Sequence, residues 1–155
     1  MSFENAGIFF YHSQPSAAAL AEHAATADAT ASVASESHEE RIGIAWPDVK
    51  ITISIDERWN RAVQIAGMKR WIGQFPEEER TPEHVQLFVR RLDDVEICYG
   101  SVTEPSFDRE GKVLALLLRL IKGGGGFIVC AQGFYDDAGR KIIGLPEAPD
   151  LLGQI

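Results

Sequence analysis

The chain has 155 residues, 45 % of them hydrophobic, and a formal net charge of −8 at pH 7. That length and composition predict one globular domain spanning residues 1–155. The first forty residues contain six acids and no Lys or Arg. Because an acidic chain repels phosphate backbones, we expect no nucleic-acid partner.

The spacing of the cysteines and histidines and the N-terminal sequence narrow the class of protein further. Cys98 and Cys130 lie 32 positions apart, which fits neither a disulfide framework nor a zinc site, and no two histidines lie two to four residues apart. The N-terminus has no basic and apolar leader, and the apolar run 113–118 is shorter than the roughly 20 residues of a bilayer span. We therefore expect a reduced cytoplasmic protein with no metal, no cofactor and no membrane segment.

The first third of the chain predicts a strand, a helix and a second strand. Gly7–Tyr11 is a short, aromatic-rich run typical of a buried strand. The alanine-rich segment 17–27 predicts a helix, with Ser13 or Ser16 as its cap. Residues 29–38 are weakly apolar, and they favour an exposed strand at a sheet edge.

The strongest β signal follows at residues 41–55. Two runs rich in β-branched side chains, 41–46 and 49–55, are joined by Pro47-Asp48, a pair that favours a turn. The second run alternates apolar and polar residues, so one of its faces is expected to pack against a core. These residues predict a β-hairpin.

The segment from Glu57 to about Gly73 predicts a helix with two apolar stripes on almost opposite sides. One stripe consists of Trp59, Ala62, Val63 and Ala66, and the other of Ile65, Met68 and Ile72. Either the sheet and the following helix cover both stripes, or a partner chain covers one of them. Trp71, beside Met68, either anchors that interface or packs under the Phe75 loop.

The second half predicts two more helices and further strands. Helical spacing predicts a helix after Thr81-Pro82 with Val85, Phe88, Val89 and Leu92 on its core side. Segment 95–102 predicts a strand and segment 109–122 a largely buried helix. The glycine run 123–126 indicates a helix end and a tight turn, because a phosphate loop would follow a strand and open a helix.

A strand over 127–131 and a final hairpin arm at 141–143 complete the predicted elements. Together they indicate an α+β fold with a mixed or largely antiparallel sheet of about six strands and three to four helices. A ferredoxin-like sheet with added strands is compatible with this order.

No motif identifies a reaction. Tyr11, His12 and Ser13 form the best candidate ligand site, because a titratable base, a hydroxyl and free backbone N–H groups would converge between the first strand and the first helix. A capping Ser13 beside an exposed His12 is the simpler interpretation. The acidic pairs Asp93-Asp94 and Asp136-Asp137 are interpreted as solvated, and both cysteines as inert core thiols.

The function that the sequence favours is non-enzymatic protein association, including homodimer formation. The residues expected to form that interface are Ile65, Met68, Trp71 and Ile72. The acidic first forty residues fit a basic protein partner. The alternative is a small-ligand-binding protein or a hydrolase-type enzyme with a cleft near Tyr11, His12 and Ser13.

Overall fold

The computed structural model describes residues 6–11, 32–36, 41–47, 49–55, 61–104, 116–118, 121, 125–148 and 150, and it shows an α+β fold built on an eight-stranded sheet. The strands are β1 (Gly7–Phe10), β2 (Ser32–Glu36), β3 (Arg41–Ala45), β4 (Lys50–Ile55), β5 (Ile97–Glu104), β6 (Phe127–Cys130), β7 (Gly133–Tyr135) and β8 (Lys141–Gly144). Their order across the sheet is β2-β3-β4-β5-β1-β6-β7-β8, and each neighbouring pair is antiparallel.

Three α-helices lie between β4 and β5 in the described part of the chain: α1 (Arg61–Ile72), α2 (Glu77–Arg80) and α3 (Glu83–Arg91). A 3₁₀ turn, Leu92–Asp94, follows α3, and residues 116–118 and 121 are also helical. Helix α3 begins directly after Pro82, whose carbonyl accepts the N–H groups of Val85 and Gln86. None of the helices within the described residues is long and apolar enough to cross a membrane.

The α+β class predicted from the sequence is confirmed, and so is the hairpin, because β3 pairs with β4 and the Trp46 N–H donates to the Val49 carbonyl at 2.8 Å. Strand β2 stands at the end of the sheet, as predicted. The sheet has eight strands rather than about six, partly because Gly133–Tyr135 forms a strand of its own after a tight turn. The ferredoxin-like detail is not confirmed.

The sheet carries a hydrophobic core on each face, because successive side chains of a strand point to opposite sides. In β1, Ile8 and Phe10 belong to one core, and Phe9 and the following Tyr11 belong to the other. The first core also contains the helical residues 116–118 and 121. The second core contains buried side chains of α1 and α3, so these two helices cover the Tyr11 side of the sheet.

Helix α1 buries the stripe that the sequence assigned to a partner chain. Ile65, Met68 and Ile72 are only 8 %, 6 % and 3 % exposed, and they belong to the second core. The chain itself therefore covers most of these three side chains, which leaves them little surface to offer a partner. The opposite stripe is the exposed one, since Val63 is 61 % exposed. Ala62 and Ala66 of that stripe are also exposed, and Trp59 lies outside the described residues.

Trp71 is partly buried at the rim of the second core. Its ring centroid lies 4.9 Å from that of Phe134 and 6.1 Å from that of Phe75. This packing corresponds to the alternative in which Trp71 contacts the Phe75 loop rather than a partner chain.

Candidate functional site

Three strands bring their termini to the same end of the sheet and so form the base of a cleft. The end of β1 pairs with the start of β6 through Phe9 and Phe127. The start of β6 in turn pairs with the end of β7 through Ile128 and Tyr135. Because antiparallel neighbours reverse direction, Tyr11, the start of β6 and the turn after β7 all lie at this end.

Tyr11 is the central aromatic residue of this cleft. The residue is 6 % exposed, its ring centroid lies 5.6 Å from that of Phe127, and the Arg91 guanidinium carbon lies 3.9 Å from the Tyr11 ring centroid. Burial raises the pKa of the Tyr11 hydroxyl to about 12, against an opposing effect of the Arg91 charge. The hydroxyl is therefore neutral at physiological pH, and it can both donate and accept a hydrogen bond.

Helix α3 supplies one wall of the cleft. Its wall residues are His84, Leu87, Phe88 and Arg91, which are spaced i, i+3, i+4 and i+7 and so share one helical face. Phe88 fixes this face to the sheet, because its ring meets that of Phe127 edge-on with centroids 4.9 Å apart. His84 and Arg91 lie one turn on either side of this anchor, and Leu87 is 51 % exposed.

The turn between β7 and β8 supplies a second wall. One carboxylate oxygen of Asp136 accepts the N–H groups of Ala138 and Arg140, each at 2.9 Å. Gly139, with φ of 81°, adopts the left-handed conformation that this turn requires. Asp136 thus holds the turn in shape, and the turn places the half-buried carboxylate of Asp137 beside the cleft.

Two glycines close the cleft at the start of β6. Gly125 has φ of 65°, and Gly126 packs so tightly on the Phe9 carbonyl that a Cβ at position 126 would overlap it. Only glycine allows β6 to approach the end of β1 this closely. The glycine run predicted as a tight turn therefore also shapes the site.

The resulting cavity has a volume of about 320 Å³ and carries both signs of charge. Its lining consists of Tyr11, His84, Leu87, Phe88, Arg91, Gly125, Gly126, Phe127, Asp136, Asp137 and Ile142. Within the described residues, no ion pair joins a cation of this cleft to one of its carboxylates. The ion pair found among the described residues, Lys69–Asp93 at 2.8 Å, lies outside the cleft. The Arg91 cation on α3 and the carboxylates on the turn therefore face one cavity without forming an ion pair with each other.

Of the three ligand-site residues predicted from the sequence, the structure places Tyr11 in the cleft, whereas His12 and Ser13 lie outside the described residues. Sequence reasoning missed His84, Arg91 and Asp137 as site residues. The signal for the first two was the spacing of His84, Leu87, Phe88 and Arg91, a second face of α3 beside the predicted core face. Asp137 had no local signal beyond its acidic pair.

The Cys130 thiol lies outside this cleft. Cys130 is buried, its thiol contacts the Gln132 side-chain oxygen at 3.1 Å, and burial raises the pKa of that thiol, as befits a core residue. The described residues contain no group of three or more His, Cys, Asp or Glu that could hold a metal ion.

Comparison with family models, with curated proteins and with solved structures finds no significant match to this chain. The cleft must therefore be interpreted from its own residues.

Proposed function

We propose that this protein binds a small charged ligand in the cleft at the Tyr11 end of the sheet. The observation that carries the proposal is the meeting of the Arg91 cation of α3 and the carboxylates of the β7–β8 turn around one cavity, with no ion pair between them among the described residues. Small-molecule sites combine apolar and aromatic walls with a few convergent polar groups, and their volumes begin at about 300 Å³. A cavity of about 320 Å³ lined by Tyr11, Phe88 and Phe127 fits that description at its lower limit.

Binding is better supported than nucleophilic catalysis. The described lining residues include no thiol and no aliphatic hydroxyl. The one hydroxyl they contain, on Tyr11, has its pKa raised to about 12, so it is not a nucleophile at neutral pH. Arg91 and Asp137 instead offer fixed charges that orient a ligand, and His84 adds a polar side chain to the same wall as Arg91.

A screen of small charged fragments by ligand-observed NMR tests this proposal. Binding should be lost in Arg91→Met, which removes the cation from the cleft, and kept in Arg70→Met, which removes an exposed cation of α1 that does not line it. Circular dichroism should show both variants folded. A screen without hits, or with hits that both variants bind equally, would refute the proposal.

Self-association is a second candidate function, favoured by the exposed stripe of α1. Val63 is 61 % exposed, and Ala62 and Ala66 beside it are also exposed. We propose that this face, rather than the Ile65 face, is the contact between copies. Sedimentation equilibrium should then show a dimer at micromolar concentration that Val63→Glu abolishes and the neighbouring Gln64→Glu does not. A monomer at every concentration would exclude this function.

A further inference from the structure

The arrangement of charges in the cleft constrains the class of ligand. The Arg91 cation lies on the α3 wall, and the Asp136 and Asp137 carboxylates lie on the turn wall. A ligand with one kind of charge would gain attraction from one wall and meet repulsion from the other. A ligand that carries both charges gains from each.

Arg91 is arranged to receive a carboxylate. Its guanidinium carbon lies 3.9 Å from the Tyr11 ring centroid, so one face of the guanidinium is covered by the ring. A guanidinium donates its hydrogen bonds in its own plane, and two of these N–H groups match the two oxygens of a carboxylate. The ring contact therefore fixes the cation while its donors stay free for an anion.

Asp137 is arranged to receive a cation. Its turn is fixed by the two hydrogen bonds that Asp136 accepts, and its own carboxylate has no ion-pair partner among the described residues. The same carboxylates disfavour a phosphate or another multiply charged anion on Arg91, because like charges in one small cavity repel. The anionic group of the ligand is thus expected to be a single carboxylate.

Size and apolar surface complete the description of the ligand. A cavity of about 320 Å³ accommodates a molecule of amino-acid size, and Leu87 and Phe88 on the α3 wall, together with Ile142, provide apolar contacts. We infer, on the basis of the proposed ligand cleft, that the ligand is a zwitterion: a free α-amino acid with an apolar side chain. Its carboxylate binds Arg91, its ammonium group binds Asp137, and its side chain lies against α3.

Three probes separate the two charges of the ligand: L-leucine, N-acetyl-L-leucine, which lacks the cation, and L-leucinamide, which lacks the carboxylate. Calorimetric titration of the full chain should show L-leucine binding roughly tenfold or more tightly than either blocked form, because each blocked form loses one charge-assisted contact. If a blocked form binds as tightly as L-leucine, or if none of the three binds, the ligand is not a zwitterionic amino acid.

Two variants assign the charges to residues. Arg91→Met should remove the preference for L-leucine over L-leucinamide, and Asp137→Asn should remove the preference for L-leucine over N-acetyl-L-leucine. Arg70→Met and Glu147→Gln, which alter exposed charges outside the cleft, should keep both preferences. Preferences that persist in Arg91→Met or Asp137→Asn would overturn the assignment.

Failure of this inference can be told apart from failure of the proposed function. If charged fragments bind in an Arg91-dependent manner but L-leucine does not, the cleft binds a ligand of another class. If the binding of no fragment depends on Arg91, the cleft itself is not a ligand site, and it does not bind a zwitterionic amino acid either.

Discussion

The guanidinium carbon of Arg91 lies 3.9 Å from the centroid of the Tyr11 ring, which joins the last turn of α3 to the end of β1. Arg91→Met keeps much of the aliphatic stem and removes the cation. We expect the free energy of unfolding, measured by urea denaturation, to fall by about 0.5–1 kcal/mol, the usual value for a partly exposed cation–π contact. Arg90→Met, one residue away and exposed, is the control. Equal losses in both variants would show that the ring contact contributes nothing.

Alkaline pH should destabilise the protein through its buried tyrosines. Burial raises the pKa of Tyr11 and of Tyr135 from 10.0 to about 12 in the folded chain. Between these values the unfolded chain loses the two protons first and so binds fewer protons than the folded chain. The contribution of these two tyrosines to the free energy of unfolding is therefore fully present below pH 10. It is lost as the pH rises toward 12. Urea midpoints measured across this interval check the decline. The double variant Tyr11→Phe, Tyr135→Phe should show a shallower slope, and an unchanged slope would contradict the prediction.

The Tyr135 hydroxyl is buried and has no hydrogen-bond partner among the residues that the structure describes. A buried polar group without a partner costs about 1–3 kcal/mol, so Tyr135→Phe should raise the free energy of unfolding by about 1 kcal/mol. Tyr135→Leu removes the ring as well and should lower it by about 2 kcal/mol, because a cavity is left. Thermal denaturation of the two variants separates the effect of the hydroxyl from that of the ring. A destabilised Tyr135→Phe would mean that the hydroxyl is bonded in solution.

Local patterns were sufficient to predict the hairpin β3–β4 and the core face of α3, because alternation or helical spacing marks one face in each case. They were not sufficient for α1. Its two stripes are both apolar, so the side of α1 that faces the sheet is decided by which stripe fits the second core. Ile65, Met68 and Ile72 fill that core, and Ala62, Val63 and Ala66 stay exposed.

The candidate site was only partly predictable for a different reason. Tyr11 could be proposed because it ends a strand, a local feature. Asp137 lies at the same cleft as Tyr11 only because β6 lies between β1 and β7. Arg91 lies there because α3 packs over that end of the sheet. Strand order and helix placement depend on contacts between distant segments, which periodicity and turn residues do not specify.

Helix α1 allows a direct test of its orientation. Ile65→Ala should lower the free energy of unfolding by about 2–4 kcal/mol, because it leaves a cavity in the second core. Val63→Ala, on the exposed face, should change it by less than about 0.5 kcal/mol. Chemical denaturation of the two variants side by side measures the difference. The opposite ranking would mean that the predicted partner-facing stripe is exposed after all.

Substitution of Gly126 by alanine tests the rigidity of the cleft, and the same substitution at Gly67 is its control. A Cβ at position 126 would overlap the Phe9 carbonyl, so Gly126→Ala must push β6 away from β1, and we expect a loss of about 1–3 kcal/mol. Gly67 lies in α1 with nothing within 4 Å of an added Cβ, so Gly67→Ala should instead stabilise the chain by about 1 kcal/mol through helix propensity. Both values come from urea denaturation. If Gly126→Ala were as stable as the wild type, β6 could separate from Phe9 at little cost, and the base of the cleft would be too pliable to hold Tyr11 and Asp137 at a fixed distance from one another.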